Sequence, residues 1–213
     1  MIRTKLILAR FDKDGQLIEQ QEQESRSWLK HLFDLLYILH NDSVPLANVN
    51  DTLGNPRTIV YKQSNPSNTL QVGAPPGNVV FPGLYGASSV GGVNRGENFG
   101  IVVGTNNLAV TPIQDALQTK IAHGEAAGQL LYGGCELYGL TFANPNGQFT
   151  IRRYFTNVLG GAIAVVEAGI YIWAIDTLNN PPFSFCIARD VFAAVTVNNG
   201  EILRVTYVPQ TTV

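Results

Sequence analysis

Through the last third of the chain, apolar residues fall at every second position in short runs, each closed by a cluster of turn formers. Residues 148–155, 162–166, 169–173, 183–187 and 202–208 all carry this pattern. A period of two sets alternate side chains on opposite faces, so the runs predict successive antiparallel strands with one face on a core. Residues 99–104 add a strand upstream, Asn106-Asn107 a turn and Leu108-Ala109-Val110 a short return. Asn146-Gly147 between residues 136–142 and 148–155 predicts a hairpin, and Asn198-Asn199-Gly200 predicts another between residues 195–197 and the last strand. At the N-terminus, Asp12-Lys13-Asp14-Gly15 separates two β-patterned runs and predicts a third hairpin. Its returning strand turns polar over Gln20-Gln21-Glu22-Gln23-Glu24, which suits an edge facing water.

One segment has the helical period instead. Trp28, Leu32, Phe33, Leu35, Leu36 and Leu39 recur at three- and four-residue spacing, with Ser25 or Ser27 as the cap and an end near His40-Asn41-Asp42. Tyr37 and Ile38 widen the apolar stripe, so the expected cover is the chain's own sheet, a neighbouring subunit, or both. Thr111-Pro112-Ile113-Gln114 has the composition of a capping box, which fits either a brief helix to about Lys120 or a tight loop over the sheet end. The count comes to about seven to nine strands with one long helix.

Residues 63–98 break every period. They hold seven glycines, four prolines and two charges, Arg95 and Glu97, yet also Val79, Val80, Phe81, Leu84 and Tyr85. Disordered linkers are polar and charged, so this composition predicts an extended arm that orders on a surface. The expected organisation is an N-terminal hairpin and helix over 1–45, an arm over 46–98 and an antiparallel β-sandwich over 99–213. The expected fold is therefore mainly β: a sandwich of jelly-roll or immunoglobulin-like kind with one N-terminal α-helix and a long ordered arm.

Composition narrows the partners. With 14 basic and 16 acidic residues the formal charge is −2, which leaves no cationic field for a phosphate backbone, so nucleic acid is not an expected partner. Only 14% of residues are charged while 45% are apolar, a surface that does little to resist self-association. No apolar run reaches the roughly 18 residues of a membrane helix, and the opening Met1-Ile2-Arg3-Thr4-Lys5-Leu6 reads as a charged strand rather than a secretory signal. Synthesis in a cytoplasm, with no membrane partner, is expected. Cys135 and Cys186 each lie in an apolar β run and read as buried free thiols rather than a disulfide.

The search for chemistry is nearly empty. His31, His40 and His123 stand at no metal-ligand spacing, and the two helical histidines read as polar positions. Asp12, Asp14 and Gly15 lack the later ligands of a calcium loop. Gly91-Gly92-Val93-Asn94-Arg95-Gly96 lacks the strand-then-helix setting of a dinucleotide cradle. Glu136, Glu167, Asp176 and Asp190 are too scattered to argue a paired-carboxylate site. Arg189 and Asp190 must point to opposite faces of a strand, and Glu167 on a neighbouring strand is the favoured partner for Arg189. No cofactor, metal or catalytic residue is expected.

Several stretches do resemble a known class. Phe155-Thr156-Asn157, Gly160 to Val165, Glu167-Ala168-Gly169-Ile170-Tyr171, Ala188-Arg189-Asp190-Val191 and Val195 to Glu201 through Val205-Thr206-Tyr207 resemble the C-terminal part of tailed-bacteriophage structural proteins. Gly100 to Thr105, Leu117 to Gly124 and Gly128 to Tyr132 look like the middle of such proteins, and Ser25-Arg26-Ser27-Trp28 with its helix also fits. The resemblance implies a virion component of a head or tail that acts by assembly, with itself and other virion proteins as partners, and it carries over no active-site residues. Interface residues expected on this reading are Trp28, Leu32 and Leu36 on the helix and Val80, Phe81, Leu84 and Tyr85 on the arm. The alternative is a receptor- or carbohydrate-binding module of a tail fibre using Tyr85, Tyr132, Tyr138 or Trp173, since aromatic faces stack on sugars. A glycan-degrading enzyme would require carboxylates gathered in a groove.

Overall fold

The structure, a computed structural model, describes residues 2–25, 27–40, 46–59, 96–143, 146–174 and 183–212. It is mainly β and antiparallel. In chain order the elements are β1 (Ile2–Phe11), β2 (Leu17–Ser25), α1 (Lys30–His40), β3 (Leu46–Asn50), β4 (Pro56–Ile59), β5 (Gly100–Gly104), β6 (Leu131–Tyr132), β7 (Glu136–Ala143), β8 (Asn146–Thr156), β9 (Ile163–Ala174), β10 (Phe183–Val197) and β11 (Ile202–Thr212). The eleven strands among the described residues exceed the expected count. A six-stranded sheet runs β2-β1-β11-β8-β6, with β7 also on β8, and a three-stranded sheet runs β10-β9-β5; β3 and β4 form a separate hairpin.

Alternation explains the large sheet. Leu6, Tyr207 and Ile151 stand side by side on β1, β11 and β8, and Leu8, Val205 and Arg153 form the next row. All six are buried and face inward. Both sheets contribute to one apolar core, the smaller through Ile101, Val102, Val103, Val165, Ile170 and Phe185. On that sheet residues 101–103 and 167–171 are buried without alternation, because the loop after β5 covers its second face: Leu117 N donates to Tyr171 Oη (2.8 Å), and the Leu117 side chain lies over Gly169.

The N-terminal hairpin forms as expected, its turn closed by Gly15 N to Asp12 O (3.1 Å) while Asp12 Oδ1 accepts from Asp14 N and Gln16 N. Its second strand is an edge, yet not simply a wet one. Gln21 Nε2 donates to Ala193 O (3.1 Å) and Gln23 Nε2 to Val191 O (3.2 Å), so alternate side chains of β2 cap carbonyls of β10.

Three expectations are corrected and one open alternative is decided. The helix starts at Lys30, because Ser25 ends β2 with its hydroxyl on Asp190 Oδ2 (2.7 Å), while residues 27–29 bond alongside β10 through Arg189 N to Ser27 O and Leu29 N to Ile187 O. Thr111–Gln114 makes the capping-box bond, Thr111 N to Gln114 Oε1 (3.1 Å), but closes a turn rather than a helix, so the loop alternative holds. Asn198-Asn199-Gly200 turns the chain, with Gly200 at φ 82° and Glu201 N on Asn198 O (3.0 Å), but joins two sheets instead of making a hairpin. β10 pairs with β9, whereas β11 pairs with β1 and β8. Residues 46–59, grouped with the arm in the sequence reading, form the β3–β4 hairpin, whose turn bonds the body through Thr52 N to Ser184 O (2.8 Å).

Candidate functional site

Buried ionic groups are the first place to look for chemistry. Arg189 Nε lies 2.7 Å from Glu167 Oε2, both side chains fully buried, on the neighbouring strands expected. The remaining capacity of Glu167 is taken by Thr119 N (2.9 Å), Gln118 N (3.3 Å) and Asn106 N (3.4 Å), and Arg189 Nη1 donates to Leu108 O (3.1 Å) and Gln114 Oε1 (3.0 Å). The pair therefore fastens residues 105–120 to the smaller sheet. Gly104 belongs to the same device, since a Cβ there would collide with the Glu167 carboxylate and Thr119 O.

Arg153 shares the inner-facing parity of Ile151 and Phe155. Its Nε donates to Gly133 O (2.8 Å), Nη1 to Phe99 O and Ile101 O (2.9 Å each) and Nη2 to Gly96 O (2.8 Å), while Cζ lies 4.8 Å from the Tyr132 ring centroid. Burial pulls this guanidinium down to about 10, so it stays a cation at neutral pH, its charge spread over carbonyl dipoles and aromatic faces. The sequence reading missed it, although its strand parity was there to be read.

His31 is corrected from a polar position to a buried one. Its Nδ1 donates to Cys186 O (3.1 Å), Nε2 lies 3.2 Å from Asp115 Oδ1, and Asn50 Nδ2 holds the other Asp115 oxygen (3.1 Å), so His31 and Asp115 together join α1, β10, β3 and the covering loop. His123 accepts from Tyr132 N on Nδ1 (3.0 Å). Cys135 and Cys186 are buried free thiols as expected, both pushed up by burial, which removes the thiolate needed for nucleophilic chemistry.

The aromatic residues expected at a glycan site are not brought together. Tyr132 is a core residue, its hydroxyl on Ile121 O (2.6 Å) and its ring edge-on to Phe155 at 4.7 Å, so it is corrected from an exposed candidate. Tyr85 lies outside the described residues, as do the side chains of Tyr138 and Trp173. Of the scattered carboxylates, Glu167 and Asp190 are buried, Glu136 pairs with Arg152 (2.7 Å), and Asp176 lies outside the described residues. Among the described residues no group of three or more His, Cys, Asp or Glu is placed to hold a metal ion. A cleft of about 190 Å³ between the β3–β4 turn and the covering loop includes Asp51 and Lys120. Asp51 is already committed to Arg57 (2.7 Å), and Lys120 contacts Glu97 (3.4 Å).

Exposed apolar residues are more sharply localised. On α1, His31 and Leu35 are buried while Phe33 (63% exposed), Tyr37 (55%) and Leu36 (41%) face outward. Of the expected interface residues, Trp28 and Leu32 pack against the chain's own core, Leu36 is on the outward side, and Val80, Phe81, Leu84 and Tyr85 lie outside the described residues. The second concentration was not foreseen: β7 exposes Leu137 (47%), Leu140 (68%) and Phe142 (79%). Its alternation is broken by an irregularity between Tyr138 and Thr141, where Gly139 takes φ 73°. That break hid the pattern from a period-two reading.

No protein-family model, no curated protein and no solved structure matches this chain.

Proposed function

We propose that the chain is a non-enzymatic structural protein that acts by self-assembly, as a component of a phage head or tail, and that its two antiparallel sheets form a β-sandwich serving as a rigid body. The observation that carries this reading is the division of residue types. The groups suited to chemistry, the buried Arg189, Glu167, Arg153 and His31 and the half-buried Asp115, hold loops and strands in place, while large apolar side chains are left outside on α1 and β7. Exposed apolar concentrations on a weakly charged chain favour protein contacts. The tailed-phage resemblance supplies the setting, head or tail, in which such contacts repeat.

Electron microscopy of particles carrying a tag on this chain tests the reading. Density at regular, symmetry-related positions is expected. A chain absent from every particle class overturns it.

A further inference from the structure

The margins of the two sheets differ in one respect. On the smaller sheet, β5 is flanked by residues 119–121 through Thr105 N to Thr119 O (2.9 Å) and Ile121 N to Val103 O (2.9 Å), and β10 by residues 27–29 and the β2 glutamines. On the larger sheet, β6 is flanked by residues 122–124 through Tyr132 N to His123 Nδ1 (3.0 Å), with Leu130 N to Ala122 O (3.2 Å) and Gly124 N to Leu130 O (3.1 Å) just before it. β2 is an edge protected by charge, carrying Glu19, Glu22 and Glu24. β7 is different. Its one strand partner among the described residues is β8, it runs uncharged from Leu137 to Ala143, and it presents three exposed large apolar side chains.

A sheet edge selects its occupant, because a row of backbone donors and acceptors is matched by another β-strand. We infer that β7 is a self-docking edge, which pairs antiparallel with β7 of a second copy and joins two six-stranded sheets across a two-fold axis. This rests on the assembly reading above and names its contact. Centred on Gly139 and Leu140, antiparallel pairing sets Leu137 of one copy opposite Phe142 of the other. On β8 these residues pair with Ile151 and Gly147, positions of equal parity, so the irregularity at Gly139 puts Leu137 and Phe142 on one face. A two-fold axis perpendicular to the sheet keeps that face common to both copies, giving two apolar Leu–Phe cross-strand pairs. The one charge on the strand, Glu136, falls opposite Ala143 rather than opposite its own copy, so no like charges meet.

Charge complementation on the full chain tests the register. L137K and F142E each place a charge at an exposed position, so the monomer fold should survive, as checked by circular dichroism and thermal denaturation. Each variant alone should associate about tenfold or more weakly in sedimentation velocity. An equimolar mixture should regain association, because the introduced lysine then faces the introduced glutamate. If the unmodified chain associates and neither substitution weakens it, the β7 pairing is overturned while assembly through another surface stands. If both variants weaken association and mixing restores nothing, the antiparallel register is wrong. An unmodified chain that stays monomeric overturns the pairing and the self-assembly reading together.

Discussion

Arg189 and Glu167 have lost all contact with solvent, and each holds backbone groups of the loop that covers the smaller sheet. Removing one member of such a pair strands the other charge in the interior. Arg189→Met should therefore cost about 3–5 kcal/mol, read as a lower urea midpoint, and should expose residues 105–120 to proteolysis first. Asp51 gives the corresponding pH test. Burial alone would raise its carboxyl, but the backbone N–H of Asn55, the Arg57 guanidinium and the N–H of Leu53 outweigh that and hold it below its ordinary 3.8. A group lowered in the folded state contributes stability that is present above 3.8 and lost as the pH falls below it. Asp51→Asn should thus lower stability at neutral pH by about 1–3 kcal/mol and flatten the acid limb of the unfolding curve below that point. An unchanged acid limb would contradict this role. At this scale the Arg189–Glu167 pair was legible, because strand parity forbids Arg189 and Asp190 from sharing a partner. His31 was not: helical spacing says which side of a helix a residue occupies, but not that Asp115 and the Cys186 carbonyl wait there.

The elements show where pattern alone reaches its limit. Alternation located the strands over 148–208 and the N-terminal hairpin, since a period of two survives wherever one face is buried. It could not assign sheets. Asn198-Asn199-Gly200 specifies a tight turn, yet Asn157 diverts it into a crossover, donating from Nδ2 to Val197 O and Gly161 O (2.9 Å each) and accepting from Gly200 N (2.7 Å). The runs at 162–166 and 169–173 proved to be one strand, β9, because Gly169 continues the strand in a place with no room for a side chain: a Cβ would lie 2.5 Å from Leu117 Cδ1 and 2.8 Å from Ala188 O. Gly169→Ala should cost about 1–3 kcal/mol by overpacking, measured by thermal denaturation. The seam between β2 and β10 makes a second expectation. Gln21→Ala with Gln23→Ala should remove two side-chain bonds at a cost of about 1–3 kcal/mol for the pair and speed hydrogen exchange along β10 ahead of β1. Equal exchange in both strands would show that the glutamines do not seal this margin.

For the molecule as a whole, a low-charge chain surrounds one apolar core with antiparallel sheets and, besides exposed residues on β2 and in loops, gathers outward apolar residues three at a time on α1 and β7. The broad stripe of the helix announced the first of these, since Phe33, Leu36 and Tyr37 exceed what one buried face can hold. The second was masked by the break at Gly139, which puts Leu137 and Phe142 in phase only after a residue is skipped. Both surfaces bear on the central claim, that placement against other protein is what this body is for. Light scattering coupled to size-exclusion chromatography, run on the unmodified full chain over a wide concentration series, tests it most directly. A mass that rises with concentration to a defined multiple of 23.1 kDa is expected. A mass that stays at that of a single chain across the whole series would contradict it.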